Sequence, residues 1–164
     1  MRTNIFILFL FFCILGCTSK QSDQLTQKQK DQIKKEVMVV FDSTTAKFGR
    51  MDAIGASQYF SPEFVEVWDT ALAPLESARK GWIAYFDTFA KVKWTTASCE
   101  CRVLTEDLVI LTWIGRMESL KKTGEKITLD PEDFTYIYKK VDGQWKAIYV
   151  HSSSTRLAEK AEKK

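Results

Sequence analysis

His151 is the residue whose chemistry comes closest to that of a general base at neutral pH. It is the only histidine in the chain, and histidine is the side chain whose unperturbed pKa lies near neutrality. Alternation along the predicted last strand places His151 on one face with Trp145, Ala147 and Tyr149. This placement favours a dimer contact or a core edge over catalysis. No nucleophile motif accompanies it, so a Ser-His-Asp set is not indicated. His151 is therefore a weak catalytic candidate.

Carboxylates are the other candidates for proton transfer. An isomerase or dehydratase needs a carboxylate base that faces tyrosine hydroxyls inside an apolar pocket. Asp42, Asp69 and Asp133 are the acids that we expect nearest to such a pocket. Asp69 fits a turn, Asp42 fits the polar face of a helix, and Asp133 fits the start of a strand. Asp42 and Asp133 are kept as weak candidates, and the catalytic residues remain unassigned at this point.

Aromatic side chains recur on the predicted strand faces. Phe134, Tyr136 and Tyr138 occupy alternate positions of one strand and therefore share a face. Aromatic walls suit an apolar or planar ligand, although each ring alone could equally be part of a packed core. We predict a ligand pocket lined by five aromatic residues: Trp68, Trp82, Trp113, Tyr136 and Tyr138.

Two cysteines, Cys99 and Cys101, are separated by one residue. On a strand this spacing puts both side chains on one face, with their Cα atoms about 7 Å apart, at the limit of disulfide reach. Two thiolates are also too few for a usual zinc site. We predict small buried apolar residues here, with a strained or redox-active disulfide as the alternative. No metal site and no cofactor is predicted.

The N-terminus carries the signals of a targeting segment. Arg2 is followed by an unbroken apolar run from Ile5 to Leu15, which is too short to span a bilayer but fits a signal-peptide core. The run ends at Ile14-Leu15-Gly16-Cys17, which resembles the lipobox of bacterial lipoproteins. The resemblance implies a signal peptide over 1–16, a lipid on Cys17 that anchors the protein to a membrane, and a bacterial envelope location. Thr18 after the cysteine favours the outer membrane by the same analogy.

The rest of the chain predicts one α+β domain. A polar tether covers 17–24, the domain covers 25–155, and a tail of mixed charge covers 156–164. Helical spacing of apolar residues predicts a long first helix from Gln27 to Gly49. Further helices and a short hairpin follow, and long strands succeed one another from residue 92 onwards, with a tight hairpin turn at Asp142-Gly143. Helices first and an antiparallel meander afterwards indicates α+β rather than alternating α/β.

Charge excludes one class of partner. The formal net charge is only +3, and no basic stripe with interleaved aromatic residues occurs, so nucleic acid binding is not expected.

The order of motifs resembles the nuclear transport factor 2-like superfamily, in particular its SnoaL-like members. The resemblance rests on the Tyr59-to-Trp68 segment, the Gly81-Trp82-Ile83-Ala84-Tyr85-Phe86 helix and the closing hairpin from Tyr138 to Ser153. It implies a cone-like (cystatin-like) domain with a curved sheet wrapped around the first helix and a pocket between helices and sheet. Comparison with kinase association domains of the superfamily implies that Tyr136 and Ser152 point into the pocket.

The same resemblance implies homodimers that form through the sheet. The pattern of residues also favours a dimer, because the second and last long strands are apolar on both faces and the helices can cover only one face. By contrast, one face of the first long strand is polar, with Thr96, Ser98, Glu100 and Arg102.

Function divides into two hypotheses. The first is a lipid-anchored periplasmic or envelope domain that binds a small apolar or aromatic ligand, or a protein partner, without established catalysis. The alternative is an isomerase, dehydratase or cyclase that acts on an apolar small molecule. A buried carboxylate beside Tyr136 or Tyr138 would favour the enzyme. A pocket collapsed by packed side chains would favour a purely structural module.

Overall fold

The computed structural model describes residues 24–68 and 71–157. The predicted signal peptide, the lipidation site Cys17 and Asp69 lie outside the described residues. Within them no helix is long and apolar enough to cross a membrane.

Helix α1 (Gln27–Gly49) begins where the sequence predicts. Thr26 and Gln29 form a capping box, in which the Thr26 hydroxyl accepts from the Gln29 amide at 3.3 Å. The Gln29 side chain accepts in return from the Thr26 amide at 2.9 Å. These bonds satisfy amide groups that the first turn leaves without helical partners. The inner face of α1 is buried through Ile33, Val37, Phe41 and Thr44.

Two short helices and a hairpin follow α1 and close one end of the domain. They are α2 (Ala53–Ser57), β1 (Phe60–Trp68), β2 (Ala71–Pro74) and α3 (Leu75–Asp87). Asp52 caps α2, because its carboxylate accepts from the Gly55 amide at 2.7 Å. β1 and β2 pair antiparallel, as the sequence predicts for the short return strand.

Four long strands complete the sheet: β3 (Phe89–Val103), β4 (Leu108–Lys121), β5 (Lys126–Val141) and β6 (Gln144–Arg156). The strand order is β2-β1-β6-β5-β4-β3, and only the β1–β6 pair is parallel. Asp142 and Gly143 both adopt positive φ, 49° and 77°, which matches the tight hairpin turn predicted there. The predicted α+β architecture, a curved sheet around the first helix, is confirmed.

Ile148 is a bulge in β6. Adjacent residues of β5 pair with Tyr149 and then with Ala147, which leaves Ile148 without a partner. An extra residue reverses the alternation of side chains beyond it. The prediction that Trp145 and Ala147 share a face with His151 is therefore wrong. The buried residues on both sides of the bulge face the core together: Trp145, Ala147, Val150 and Ser152.

Ala97 has the same effect in β3. The pairing with β4 passes from Thr96 directly to Ser98. Thr96 therefore faces inward, where its hydroxyl accepts a hydrogen bond from Trp113 Nε1 at 2.8 Å. The prediction that grouped Thr96 with the outward polar residues of β3 is wrong for this residue, because the bulge intervenes.

Candidate functional site

A cavity of about 170 Å³ opens between the helices and the concave face of the sheet. More than half of its lining residues are aromatic, and most of the lining surface is apolar. α1 supplies Phe41, Thr45 and Phe48, and α3 supplies Gly81, Trp82, Tyr85 and Phe86. The strands supply Phe60, Glu66, Trp68, Trp94, Trp113, Met117, Leu129, Glu132, Phe134, Tyr136, Val150, Ser152, Ser153 and Ser154. An apolar, concave lining with few polar groups is the usual form of a small-molecule site.

Glu132 is a carboxylate on the inner face of β5, with only 7% of its surface exposed. Trp94 of β3 donates its indole Nε1–H to Glu132 Oε2 at 2.8 Å. Burial raises the pKa of Glu132 to about 7, and nearby Asp133 adds to the rise, while the Trp94 bond opposes it. Glu132 therefore exchanges a proton close to neutral pH.

Glu66 is a second carboxylate in the lining, carried by β1. Trp82 of α3 donates its Nε1–H to Glu66 Oε1 at 3.0 Å. Burial raises the pKa of Glu66, and the bond from Trp82 opposes that rise. Neither Glu66 nor Glu132 forms an ion pair with a described residue. Each is held through one oxygen by a neutral indole, and its second oxygen makes no hydrogen bond with a described residue.

Tyr85 and Tyr136 bring hydroxyl groups to the same lining. Burial raises the pKa of Tyr85 to about 12, with a contribution from Glu132. Burial also raises the pKa of Tyr136, and both Glu66 and Glu132 contribute to that rise. Tyr136 thus lies within electrostatic reach of both carboxylates. Its hydroxyl makes no hydrogen bond with another described residue, although 7% of its surface remains exposed.

Trp113 is positioned by a glycine two residues further along β4. A Cβ on Gly115 would collide with the Trp113 ring and with the Thr95 carbonyl. Only glycine therefore lets the indole lie flat along its own strand. The Thr96 hydroxyl fixes the ring orientation by accepting from Nε1.

The structure gathers five of the six residues that the sequence assigned to a pocket around one cavity. They are Trp68, Trp82, Trp113, Tyr136 and Ser152. Tyr138 does not line the cavity. Its ring stacks on Tyr136 with centroids 5.7 Å apart, and its buried hydroxyl has no hydrogen-bond partner among the described residues. Tyr138 follows the alternation of β5, but it lies deeper in the core.

None of the three weak catalytic candidates lines the cavity. Asp42 is exposed on α1, and His151 is exposed on the outer face of the sheet. Asp133 is partly buried on β5, and its Oδ1 atom is buried with no hydrogen-bond partner among the described residues. Because Asp133 follows the inward Glu132 on a strand, it points to the opposite face.

Glu66 and Glu132 were missed by the sequence reasoning, although a signal for both was available. Glu132 precedes Phe134 by two residues and so shares the face on which alternation placed the aromatic residues of β5. Glu66 stands in the same way between Phe64 and Trp68 on β1. An acid at an alternate position of an apolar strand face is the pattern that would have identified each one.

Cys99 and Cys101 are free thiols. Cys101 is partly buried, but Cys99 is exposed, so the prediction that both are small buried residues is wrong for Cys99. β3 is an edge strand of the sheet, and α1 packs against it. Partial burial raises the pKa of both thiols, which holds them in the protonated form at neutral pH. Among the described residues no group of three or more possible ligands is arranged to hold a metal ion.

Comparison with solved structures gives the fold a name. A candidate scytalone dehydratase from Novosphingobium aromaticivorans superposes with a TM-score of 0.72 at 10% identity, over 79% of this chain and 89% of that chain. A nuclear transport factor 2-like superfamily protein from Salmonella enterica serovar Typhimurium superposes with a TM-score of 0.69 at 13% identity, over 82% and 99%. This chain has the nuclear transport factor 2-like fold.

A further structural neighbour is named for a different activity. The type 2 hexachlorocyclohexane dehydrochlorinase LinA superposes with a TM-score of 0.70 at 10% identity, over 82% of this chain and 95% of that chain. No protein-family model and no curated protein matches the sequence significantly. At these identities the likeness establishes the fold, and function has to be argued from the site.

Proposed function

We propose that this domain binds an apolar, planar small molecule in its aromatic-walled cavity. The observation that carries the proposal is the lining itself, in which rings from α1, α3 and four strands surround open space. Aromatic faces suit planar apolar ligands, and the few polar groups would fix the orientation of the ligand. The Tyr136 hydroxyl and the second oxygens of Glu66 and Glu132 are the groups best placed to do so.

The proposed anchor is a lipid on Cys17. The apolar run that ends at Gly16-Cys17 supports cleavage by the lipoprotein route, and Thr18 supports delivery to the outer membrane. A diacylglycerol together with an N-acyl chain gives stable membrane attachment. The ligand-binding domain would then act at the bacterial envelope.

A ligand screen tests the binding proposal. The protein from Thr18 onwards is suitable, because every described element of the cavity lies within residues 24–157. Native mass spectrometry against a panel of planar aromatic compounds should detect one-to-one complexes. Ser152→Phe places a ring in the cavity and should abolish them. Ser98→Phe adds the same ring on an exposed strand position and should not, while thermal unfolding checks that both variants fold.

A second function has its own supporting observation, the buried carboxylate Glu132 in the same cavity lining as the hydroxyl groups of Tyr85 and Tyr136. A general base is most effective when its pKa lies near the working pH, and burial brings Glu132 to about 7. Glu132 could remove a proton next to a substrate carbonyl, while Tyr136 donates a hydrogen bond to the oxygen that becomes negative. The names of two structural neighbours, a candidate scytalone dehydratase and a dehydrochlorinase, are in keeping with such chemistry.

Deuterium exchange tests this second function without knowledge of the substrate. In D₂O, the protein should speed the exchange of α-protons on small aromatic ketones, which proton NMR follows directly. Glu132→Gln should reduce that rate to the level of buffer alone. Exchange that is equally fast with Glu132→Gln, or absent for all ketones that bind, would leave binding as the function.

A further inference from the structure

Charge in the cavity lining is of one sign. Glu66 and Glu132 are the only residues there with formal charge, and no lysine, arginine or histidine lines the cavity among the described residues. Their partners Trp82 and Trp94 are neutral donors. An ionised carboxylate in such surroundings lacks a counter-charge, which is costly at low dielectric.

A third glutamate shows what the cavity pair lacks. Glu36 also accepts a bond from a tryptophan, Trp145 Nε1, at 3.0 Å. Unlike the other two, it lies beside a cation, because Lys140 Nζ is 3.4 Å from the same carboxylate oxygen. The protein therefore supplies a cation to the tryptophan–glutamate pair outside the cavity, and no described cation lies beside the two pairs in the cavity.

Aromatic rings surround the two carboxylates in the cavity lining. Trp68, Trp82, Trp94 and Tyr85 all line the cavity together with the two carboxylates. A cation within about 6 Å of an aromatic face is attracted by the electrons of the ring, and the attraction grows when water is excluded. Rings and desolvated carboxylates in one lining favour a ligand that is both apolar and positively charged.

An unpartnered polar group points into the same space. The Tyr136 hydroxyl belongs to a residue that is more than nine-tenths buried, lines the cavity and has no hydrogen-bond partner among the described residues. The Tyr136 hydroxyl, like the second oxygens of Glu66 and Glu132, is therefore available to form a hydrogen bond with a ligand.

We propose that the ligand of this cavity is a hydrophobic cation, in which an amine or quaternary ammonium group is attached to an apolar, planar body. The positive group lies near Glu66 and Glu132, and the apolar body lies against the aromatic walls. The inference rests on the proposed binding function, and it assigns the charge of the ligand.

Because the carboxylates can be protonated, the affinity of the cavity for a cation should depend on pH. The titratable groups that share the cavity lining with Glu132 are Tyr85 from α3, Glu66 from β1 and Tyr136 from β5. Asp133, the next residue on β5, points to the opposite face of the sheet but adds to the rise in the pKa of Glu132. α1, β3, β4 and β6 line the cavity with uncharged side chains. Since burial raises the pKa of Glu132 to about 7, the cavity gains negative charge as the pH rises through neutrality.

Calorimetric titration with matched probes tests the inference on the protein from Thr18 onwards. The probes are benzyltrimethylammonium, its neutral isostere neopentylbenzene, and phenylacetate as an anion. At pH 8 the cation should bind at least tenfold more tightly than the other two. Its affinity should fall severalfold at pH 5.5, whereas the affinity of neopentylbenzene should not change. This comparison requires no variant.

Substitution of Glu132 tests whether this residue causes the preference for the cation. Glu132→Gln should weaken the cation at least tenfold at pH 8 and leave neopentylbenzene unchanged. Glu36→Gln alters the tryptophan–glutamate pair outside the cavity and should change neither affinity. Equal binding of the cation and the isostere, without pH dependence, would overturn the inference and leave the binding function intact. If no probe and no planar compound of the wider screen binds, both the inference and the proposed binding function are contradicted.

Discussion

Trp94 reaches from β3 to Glu132 on β5 and donates its indole Nε1–H to Oε2 at 2.8 Å, across the strand that separates them. The bond holds a carboxylate in an apolar lining where it would otherwise have no donor. It also lowers the pKa of Glu132, against the larger effect of burial. The Trp94 ring therefore helps to position the carboxylate and limits the rise in its pKa.

Removal of that donor should raise the proton affinity of Glu132. In Trp94→Phe the carboxylate loses the bond that favours its charged form, so its pKa should move above its present value of about 7. Carbon-13 NMR of the labelled side-chain carboxyl follows the titration. Trp113→Phe is the matched control, since its indole bonds to Thr96 instead. An unchanged or lower pKa in Trp94→Phe would contradict the role given to the bond.

Glu132 should make stability depend on pH between about 4.5 and about 7. The folded protein holds the Glu132 proton more tightly than the unfolded chain, for which the reference pKa is 4.5. Its contribution is therefore fully present below pH 4.5 and is lost as the pH rises through about 7. Each unit of pKa shift corresponds to roughly 1.4 kcal/mol, so the loss of folding stability approaches about 3 kcal/mol at pH 8.

Urea unfolding of Glu132→Gln measures the contribution of Glu132 to the free energy of unfolding. The variant should match the parent near pH 4 and become more stable than it by up to about 3 kcal/mol at pH 8. Glu118→Gln, at an exposed position, controls for the loss of one negative charge. If Glu132→Gln is instead destabilised more at pH 8 than at pH 4, the carboxylate is stabilising when charged, and the proposed lack of a counter-charge is wrong.

Tyr136 and Tyr138 offer a pair of identical substitutions with opposite outcomes. Tyr136→Phe removes a hydroxyl that faces the cavity without a described partner, so ligand affinity should fall while unfolding free energy changes little. Tyr138→Phe removes a buried hydroxyl that lacks a partner, which should stabilise the fold by about 1 kcal/mol and leave binding unchanged. Thermal unfolding and titration with any ligand from the screen measure both effects. The reverse assignment of the two effects would remove Tyr136 from the site.

The outer face of the sheet should carry a homodimer contact. It presents apolar side chains that the helices do not cover, including Ile110, Ile137 and Ile114, of which Ile114 is 39% exposed. A sheet that is apolar on both faces needs a second cover, and a second copy supplies it isologously. Sedimentation at micromolar concentration should show a dimer.

Charge on that face should break the dimer. Ile114→Lys should give a monomer, whereas Leu72→Lys, at an exposed apolar position on the short β2 strand, should leave the dimer intact. A monomer for the unaltered chain would show that the outer face is simply exposed.

The lipid anchor should depend on one sulfur atom. Cys17→Ser should shift the protein from the membrane to the soluble fraction, or leave the signal uncleaved, because the acyl chains have no other attachment point. Fractionation with mass spectrometry of the processed N-terminus distinguishes these results. Membrane association with normal processing in the variant would exclude the lipoprotein route.

The sequence predicted the fold well because its strands alternate regularly. Every second residue of β4 is buried from Val109 to Ser119, and Trp113 and Tyr136 lie where that rule of alternation placed them. The rule failed at Ile148 and Ala97, since a bulge leaves no mark in composition and each neighbouring residue has ordinary strand propensity.

The carboxylates of the site were missed for a different reason. The sequence reasoning weighed Asp42 and Asp133 by their expected distance from the pocket and did not extend the alternation of β5 to Glu132. A pattern in a single sequence also does not show which distant residue will form a hydrogen bond with each carboxylate. The contacts of Trp94 with Glu132 and of Trp82 with Glu66 join residues 38 and 16 positions apart.

The tryptophan side chains provide the most direct measurement of the central claim, that the cavity is a ligand site. Trp82 and Trp94 line it and donate to its two carboxylates, while Trp145 lies outside it and donates to Glu36. Nitrogen-15 NMR resolves each indole N–H. Titration with a compound that binds should shift the Trp82 and Trp94 signals in proportion to occupancy and leave Trp145 unmoved. Compounds that bind while the Trp82 and Trp94 signals stay still would contradict the account.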